Sequence, residues 1–277
     1  MPIYPVNGVA YYYELTEPPP TSAPVTKLRP PLVLLHGFTG SSANWSPHVA
    51  ALAAQRRVIT VDLLGHGQTT VPADPLRYSM AASAQDLAAL LAVIAPGPVE
   101  LLGYSMGGRL ALYVALTYPN QVQRLILESA SPGLADAAAR VARTQSDEAL
   151  ANRIEYEGIA AFVAMWEKLP LFATQASLPA AEQTQLHAQR LRNSAQGLAN
   201  SLRGMGTGVQ PSLWDALPRL QQPTLLLAGA LDPKFSAIAA QMAQALPQAT
   251  MAVVPDAGHT IHLEAPHAFQ HHLQAFL

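Results

Sequence analysis

Two spacings of apolar residues alternate along this chain. Short continuous runs at 32–35, 57–61, 99–102, 124–127, 224–227 and 250–254 lack the in-out alternation of a half-exposed strand, so they predict strands buried on both faces. Between them, 80–94, 105–116, 236–246 and 265–277 carry apolar residues at steps of three and four, the period of a helix with one covered face. The order is alternating α/β, with helices covering a mostly parallel central sheet.

Two segments depart from this alternation. Asn7-Gly8 interrupts 3–15 with residues that favour positive φ, which predicts an opening β-hairpin. Residues 17–31 then carry six prolines, which lack the amide donors of a strand ladder, so an exposed loop is expected. The larger departure is 131–217, where helical segments rich in Ala and charged on one face replace the strand runs. The expected organisation is therefore an α/β core in two parts, 1–130 and 218–277, with a helical cap at 131–217 over the crevice at the strand carboxyl ends.

Chemistry concentrates at strand ends. After the run ending at Leu102 come Gly103-Tyr104-Ser105-Met106-Gly107-Gly108, and a helical pattern starts at once. A serine between a buried strand and a helix sits on a sharp turn that tolerates only small neighbours, which presents its hydroxyl and leaves the Met106 N–H free for an oxyanion. Such a hydroxyl needs an imidazole as base and a carboxylate to orient that imidazole. Asp232, after the run at 224–227, and His259, after the last strand run, supply them in the chain order Ser, Asp, His. Asp232 also suits the N-cap of the helix that follows. Phe38, in His36-Gly37-Phe38 after the first buried run, is the second candidate oxyanion donor, and His36 is read as holding that loop.

Other polar residues separate into placed and solvated. Arg109 lies one helical turn after Ser105 on an otherwise apolar helix, where an unpaired charge is costly, so it either meets a core carboxylate or faces a ligand. Arg140, Arg143, Arg190, Arg192 and Trp166 lie on cap segments expected to face the crevice. Gly65-His66-Gly67 reads as a tight connection with a structural His66. His267 and His271, four apart on a terminal polar face, read as solvated. Nothing in the chain calls for a metal or an organic cofactor.

Composition narrows the class. Sixteen Lys plus Arg against eighteen Asp plus Glu give a net charge of −2, which argues against nucleic acid as partner. Half the residues are apolar and 12% are charged, enough for a sizeable core. The absence of cysteine removes disulfides, thiolate nucleophiles and Cys-ligated metals. No apolar run approaches the roughly 18–20 residues of a membrane span, and the first residues lack a signal-peptide pattern, so a cytoplasmic protein is expected.

The phrases His36-Gly37-Phe38-Thr39-Gly40-Ser41, Gly103 through Arg109, Ser131-Pro132-Gly133-Leu134, Trp166-Glu167-Lys168-Leu169-Pro170-Leu171-Phe172, Arg192 with Gly197 to Gly208, Asp232-Pro233-Lys234-Phe235 and Gly258-His259 together resemble one family. It is the 2-succinyl-6-hydroxy-2,4-cyclohexadiene-1-carboxylate synthases of menaquinone and phylloquinone biosynthesis, members of the α/β-hydrolase superfamily. The triad motifs are shared across that superfamily, whereas the cap motifs are the specific part. The resemblance implies an α/β-hydrolase fold and a cofactor-free lyase that eliminates pyruvate from a small polycarboxylate. It implies Ser105, Asp232 and His259 as triad, and Tyr104, Arg109, Arg143, Trp166 and Arg192 as substrate contacts. Arg140 and Arg190 are near misses in register. The residues alone leave open a carboxylesterase or C–C bond hydrolase with the same triad, and a non-catalytic small-ligand receptor.

Overall fold

The computed structural model describes residues 2–20 and 29–277. The prolines of 17–20 and 29–31 lie in irregular backbone as expected, while 21–28, the middle of that predicted loop, fall outside the described residues. Among the described residues eight strands form one sheet, in the order β1-β2-β4-β3-β5-β6-β7-β8. The strands are β1 (Ile3–Val6), β2 (Val9–Thr16), β3 (Leu32–Leu35), β4 (Val58–Val61), β5 (Val99–Tyr104), β6 (Val122–Glu128), β7 (Thr224–Gly229) and β8 (Ala249–Val254).

The β1–β2 hairpin turns at Asn7 (φ 48°) and Gly8 (φ 82°), two successive positive φ values that match the right-handed twist of the strands. β2 joins the sheet antiparallel to β4, and from β4 across to β8 all pairings are parallel. Every side chain of β3 is fully buried. Burial of one such Leu contributes about 1.5–3 kcal/mol, which makes this strand a firm base for the loop that follows it. The expectation of two buried faces fails at β8, most of whose residues are partly or fully exposed, with Val253 at 45%. β8 is an edge strand with a partner on one side only, and its apolar run carries no signal of that position.

Helices α1 (Ser46–Leu52), α2 (Met80–Ile94), α3 (Met106–Thr117), α7 (Pro233–Ala245), α8 (Ile261–Glu264) and α9 (Pro266–Phe276) connect or follow the strands. α7 begins at Pro233, three residues before the expected start, because proline's fixed φ suits the first helical turn. Between β6 and β7 lie α4 (Ala137–Trp166), kinked where Gly158 takes φ 81°, α5 (Ala180–Leu191) and α6 (Ala195–Met205). These helices carry an apolar cluster of their own, including Ile154, Phe162, Val163 and Leu198. Among the described residues no helix is long and apolar enough to cross a membrane.

Three histidines are buried as neutral bases that hold loops. His36 Nδ1–H donates to Gly37 O at 2.7 Å while its Nε2 accepts from Leu63 N–H at 3.0 Å. His48 Nε2–H donates to His262 O, and its Nδ1 accepts from Gln270. His66 donates from Nδ1 to Leu64 O. Burial lowers His36 and His48 to about 4 and His66 to about 3. Above about pH 6.5 these groups are neutral in both folded and unfolded chains and add no pH dependence. As the pH falls from there toward 4 the unfolded chain takes up protons that the folded chain refuses, so folding stability drops, at up to about 1.4 kcal/mol per pH unit per histidine. The thermal midpoint is expected to fall across this window. His48→Gln keeps a donor and an acceptor without the titration, so it should flatten the slope. Equal slopes for both proteins in scanning calorimetry would remove His48 from this account.

Candidate active site

Ser105 joins β5 to α3 with φ 50° and ψ −107°, a left-handed conformation that a residue with a side chain enters only under constraint. The constraint is steric and local. A Cβ on Gly107 would lie 2.5 Å from His36 O and 2.6 Å from Leu35 O, and one on Gly103 would collide with the Gly107 carbonyl. Glycine at both positions lets the start of α3 press against β3 and β5, while the Ser105 N–H donates to Glu128 O at 2.8 Å on β6.

The turn delivers Ser105 Oγ to 3.0 Å from His259 Nε2, and His259 Nδ1 lies 2.8 Å from Asp232 Oδ2. Three residues far apart in sequence thus meet beyond the carboxyl ends of β5, β7 and β8. Asp232 fills both roles open to it in the sequence, since its Oδ1 accepts from Phe235 N–H at 3.1 Å as the N-cap of α7 while Oδ2 faces the imidazole. Burial pushes its carboxyl pKa up, but the His259 and Phe235 hydrogen bonds outweigh that and hold it below the ordinary range. The second oxygen of such a carboxylate fixes Nδ1–H on His259 and leaves Nε2 as the base toward serine.

Phe38 follows His36 and Gly37 after β3, and with Tyr104, Ser105, Met106 and His259 it lines a cavity of about 210 Å³. The first N–H groups of a helix have no intrahelical acceptor, and Met106, the first residue of α3, is part of this cavity wall. The opposite wall comes from the helices between β6 and β7. Trp166 packs edge-on to Phe38 at 5.3 Å and against Phe172 at 5.5 Å, and its buried Nε1 has no hydrogen-bond partner among the described residues. Tyr104 donates or accepts at Thr260 Oγ1 over 2.9 Å.

Arg109, Arg143 and Lys234 line the same cavity, which has no carboxylate in its wall among the described residues. Among the described residues Arg109 meets no carboxylate in an ion pair. Its Nη1 donates instead to Met205 O at 2.7 Å and to Gln210 Oε1 at 2.6 Å. Burial first, and the neighbouring Arg143 second, lower it to about 10, still protonated near neutral pH. Arg143 Nε donates to Asp147 Oδ1 at 2.7 Å within α4, and its terminal nitrogens have no partner among the described residues.

Arg192 does not join this group. It is exposed at the C-cap of α5 and absent from the cavity wall, whereas Arg190, ranked lower from the sequence, turns inward to Glu167, Gln175 and the Phe172 ring. Gln189, Arg190 and Asn193 are the buried residues of this helix end. At about 100° per residue Arg192 falls roughly 100° from the middle of that face. Arg140 is spent on the carbonyls of Leu134 and Ala135.

Several residues around the site had weak sequence signals. Lys234 carries a cation two positions after Asp232, at the strand end where ligands bind. Glu128 follows the apolar run 125–127 at the end of β6, and its carboxylate lies 2.9 Å from His262 Nδ1 in a fully buried pair behind Tyr104. Asp62 is buried, accepting from Ser42 N–H at 2.6 Å and Gln68 N–H at 2.7 Å, and a Cβ on Gly67 would strike its carboxylate. The 62–67 stretch is thus a tight connection beside the Phe38 loop. His267 and His271 are exposed, and among the described residues no cluster of three or more His, Asp or Glu is placed to hold a metal ion.

Known proteins are similar to this chain over most of its length. A family model for the α/β hydrolase fold matches residues 30–266. A Bacillus subtilis (strain 168) protein, provisionally named 2-succinyl-6-hydroxy-2,4-cyclohexadiene-1-carboxylate synthase, is 44% identical over 246 residues, 89% of each chain. The synthase of that name from Serratia proteamaculans is 35% identical over 254 residues, covering 90% of this chain and 93% of its own. The solved structure of MenH from S. aureus superposes with a TM-score of 0.90 at 37% identity, covering 96% of this chain and 97% of that one. The chain belongs to the α/β-hydrolase superfamily and, within it, to the 2-succinyl-6-hydroxy-2,4-cyclohexadiene-1-carboxylate synthase family.

Proposed function

We propose that the protein eliminates pyruvate from 2-succinyl-5-enolpyruvyl-6-hydroxy-3-cyclohexene-1-carboxylate, giving 2-succinyl-6-hydroxy-2,4-cyclohexadiene-1-carboxylate, with Ser105, His259 and Asp232 as the catalytic residues. The observation that carries this reading is a cavity at the serine whose wall holds Arg109, Arg143 and Lys234 and no carboxylate among the described residues. A pocket for neutral esters has no use for such a wall. A substrate with carboxylates on its ring, its succinyl arm and its enolpyruvyl group does, and each charge-assisted hydrogen bond to an arginine is worth about 1.5–3 kcal/mol. Tyr104 and the Trp166 Nε1–H, which has no partner among the described residues, supply further contacts. Residues 131–217 act as the cap that closes this wall over the core, and a water-soluble substrate of this kind fits a cytoplasmic enzyme.

The names of substrate and product fix the electron flow. The ring loses the hydrogen at C2, beside the succinyl carbonyl, and the double bond at C3 gives way to a 2,4-diene. Ser105 Oγ takes the C2 proton as its own proton passes to His259 Nε2. The C–H electrons form the C2–C3 double bond, the former C3–C4 pair shifts to C4–C5, and the C5–O bond breaks. Pyruvate departs as its enolate and takes a proton on carbon, returning the site to its starting charge. The succinyl carbonyl oxygen gains negative charge along this path, and the Phe38 and Met106 N–H groups are the donors that meet it. One such donor is commonly worth about 3 kcal/mol of barrier. Asp232 keeps the imidazole oriented and stabilises its protonated form. No acyl-enzyme and no cofactor enter this sequence.

Two outcomes are expected. With the cyclohexene substrate supplied, Ser105→Ala should lower enzyme-dependent pyruvate release by on the order of 10³-fold, leaving spontaneous elimination as background. Equal release by wild type and variant, followed with a coupled pyruvate assay, would take the serine out of the mechanism. Arg143→Gln, at a half-exposed position, should reduce kcat/KM by more than about tenfold. Unchanged kcat/KM would detach the cationic wall from substrate recognition and return the hydrolase reading to the front.

A further inference from the structure

The turn that presents Phe38 is fastened from two sides. On the core side, Gly40 N–H donates to Gly37 O at 3.0 Å, which makes Phe38 and Thr39 its two central residues. His36 and Asp62 brace its flanks. The Phe38 N–H takes no part in this closing bond, so it is available to the cavity. Thr39 has φ 67°, in the place a turn of this kind normally gives to glycine. A β-branched residue there is strained, and such strain persists only where the surroundings over-determine it.

Those surroundings include the cap. Asn193 Nδ2 donates to Thr39 O at 2.9 Å, and Gln189 Nε2 donates to Ser41 Oγ at 3.0 Å and Asn44 Oδ1 at 2.5 Å. Gln189 and Asn193 are four residues apart, on one face at the end of α5, with 9% and 7% of their surface exposed. Neither lines the cavity that holds Ser105. We infer that Gln189 and Asn193 are positioning residues for the elimination. They hold the strained Phe38–Thr39 turn from the cap side and so aim the Phe38 N–H at the developing oxyanion. The oxyanion hole is then complete only when the end of α5 is docked. This rests on the reaction and on the Phe38 donor proposed above.

The amide of Asn193 can be removed without changing its shape. In Asn193→Asp a carboxylate oxygen faces Thr39 O in place of the N–H. Kinetics of pyruvate release should show kcat reduced about tenfold or more with KM within twofold of wild type. Gln189→Leu should shift kcat in the same direction and keeps the test open where Asn193→Asp fails to fold. In a Thr39→Gly background, where glycine adopts the positive φ unaided, Asn193→Asp should cost less than about threefold. Amide hydrogen exchange of the segment 36–45 should accelerate in Asn193→Asp relative to wild type, and this readout needs no substrate.

Unchanged kcat in folded Asn193→Asp and Gln189→Leu would overturn the inference, as would an equal loss of kcat in the Thr and Gly backgrounds. A wild type that releases no pyruvate would sink the proposed reaction instead. In that case unaltered exchange over 36–45 would also dismiss the clamp, and faster exchange would retain it as a property of the loop.

Discussion

Ser105 occupies a backbone conformation costing on the order of 1–3 kcal/mol, and much of the molecule's local design makes that conformation hold. Gly103 and Gly107 remove the atoms that would block it, the fully buried β3 supplies the surface against which α3 starts, and Glu128 O takes the serine's N–H. Relaxing the turn would swing Oγ away from His259 and the first N–H groups of α3 away from the cavity together. In the proposed reaction, the placing of the serine base and of half the oxyanion hole are therefore one constraint. The other half, on the Phe38 turn, carries strain of its own at Thr39 and is braced by separate elements.

Electrostatics decides what such a site accepts. An arginine with no carboxylate in ion-pair contact loses hydration on burial, and for Arg109 that loss outweighs the upward pull of Asp147 beyond contact distance. Two neutral acceptors, Met205 O and Gln210 Oε1, keep it hydrogen-bonded without cancelling its charge. A core built for stability alone would have set a carboxylate there, as Glu100 meets Arg124 at 2.8 Å on the far side of the sheet. An anionic ligand entering this cavity would recover part of the desolvation penalty. Arg143, only half neutralised through its Nε, extends the same field toward the cap.

The features legible in the sequence are those in which a local pattern has one physical solution. Consecutive apolar residues at 32–35 and 99–102 have nowhere to go but a doubly covered sheet, and Gly-x-Ser-x-Gly between a strand and a helix forces the sharp turn. The position of β8 was not legible, because an edge strand and a central strand can share a composition and differ only in their neighbours. The choice between Arg190 and Arg192 was also out of reach. It depends on helical phase at the frayed end of α5, where one residue of slip exchanges an inward for an outward side chain. The pairing of Gln189 and Asn193 with the Phe38 loop joins residues some 150 positions apart, and amides on a helix carry no marker of their partner.

The use of amides where the cap meets the core follows from the charge of the site. From Glu167 the contacts run through Arg190 to Gln175, from Gln175 to Thr260 Oγ1, and from there to the Tyr104 hydroxyl beside Ser105. Gln189 and Asn193 close a second set onto the Phe38 turn. Apart from the Arg190–Glu167 pair, in which the charges cancel, these links are neutral. Carboxylates in their place would draw on the arginines of the cavity wall, and further cations would repel those arginines. Neutral donors and acceptors fix the register of cap on core through geometry alone. They leave the field in the cavity to Arg109, Arg143 and Lys234, so under the proposed function docking the cap and attracting the substrate rest on separate sets of side chains and need not compete.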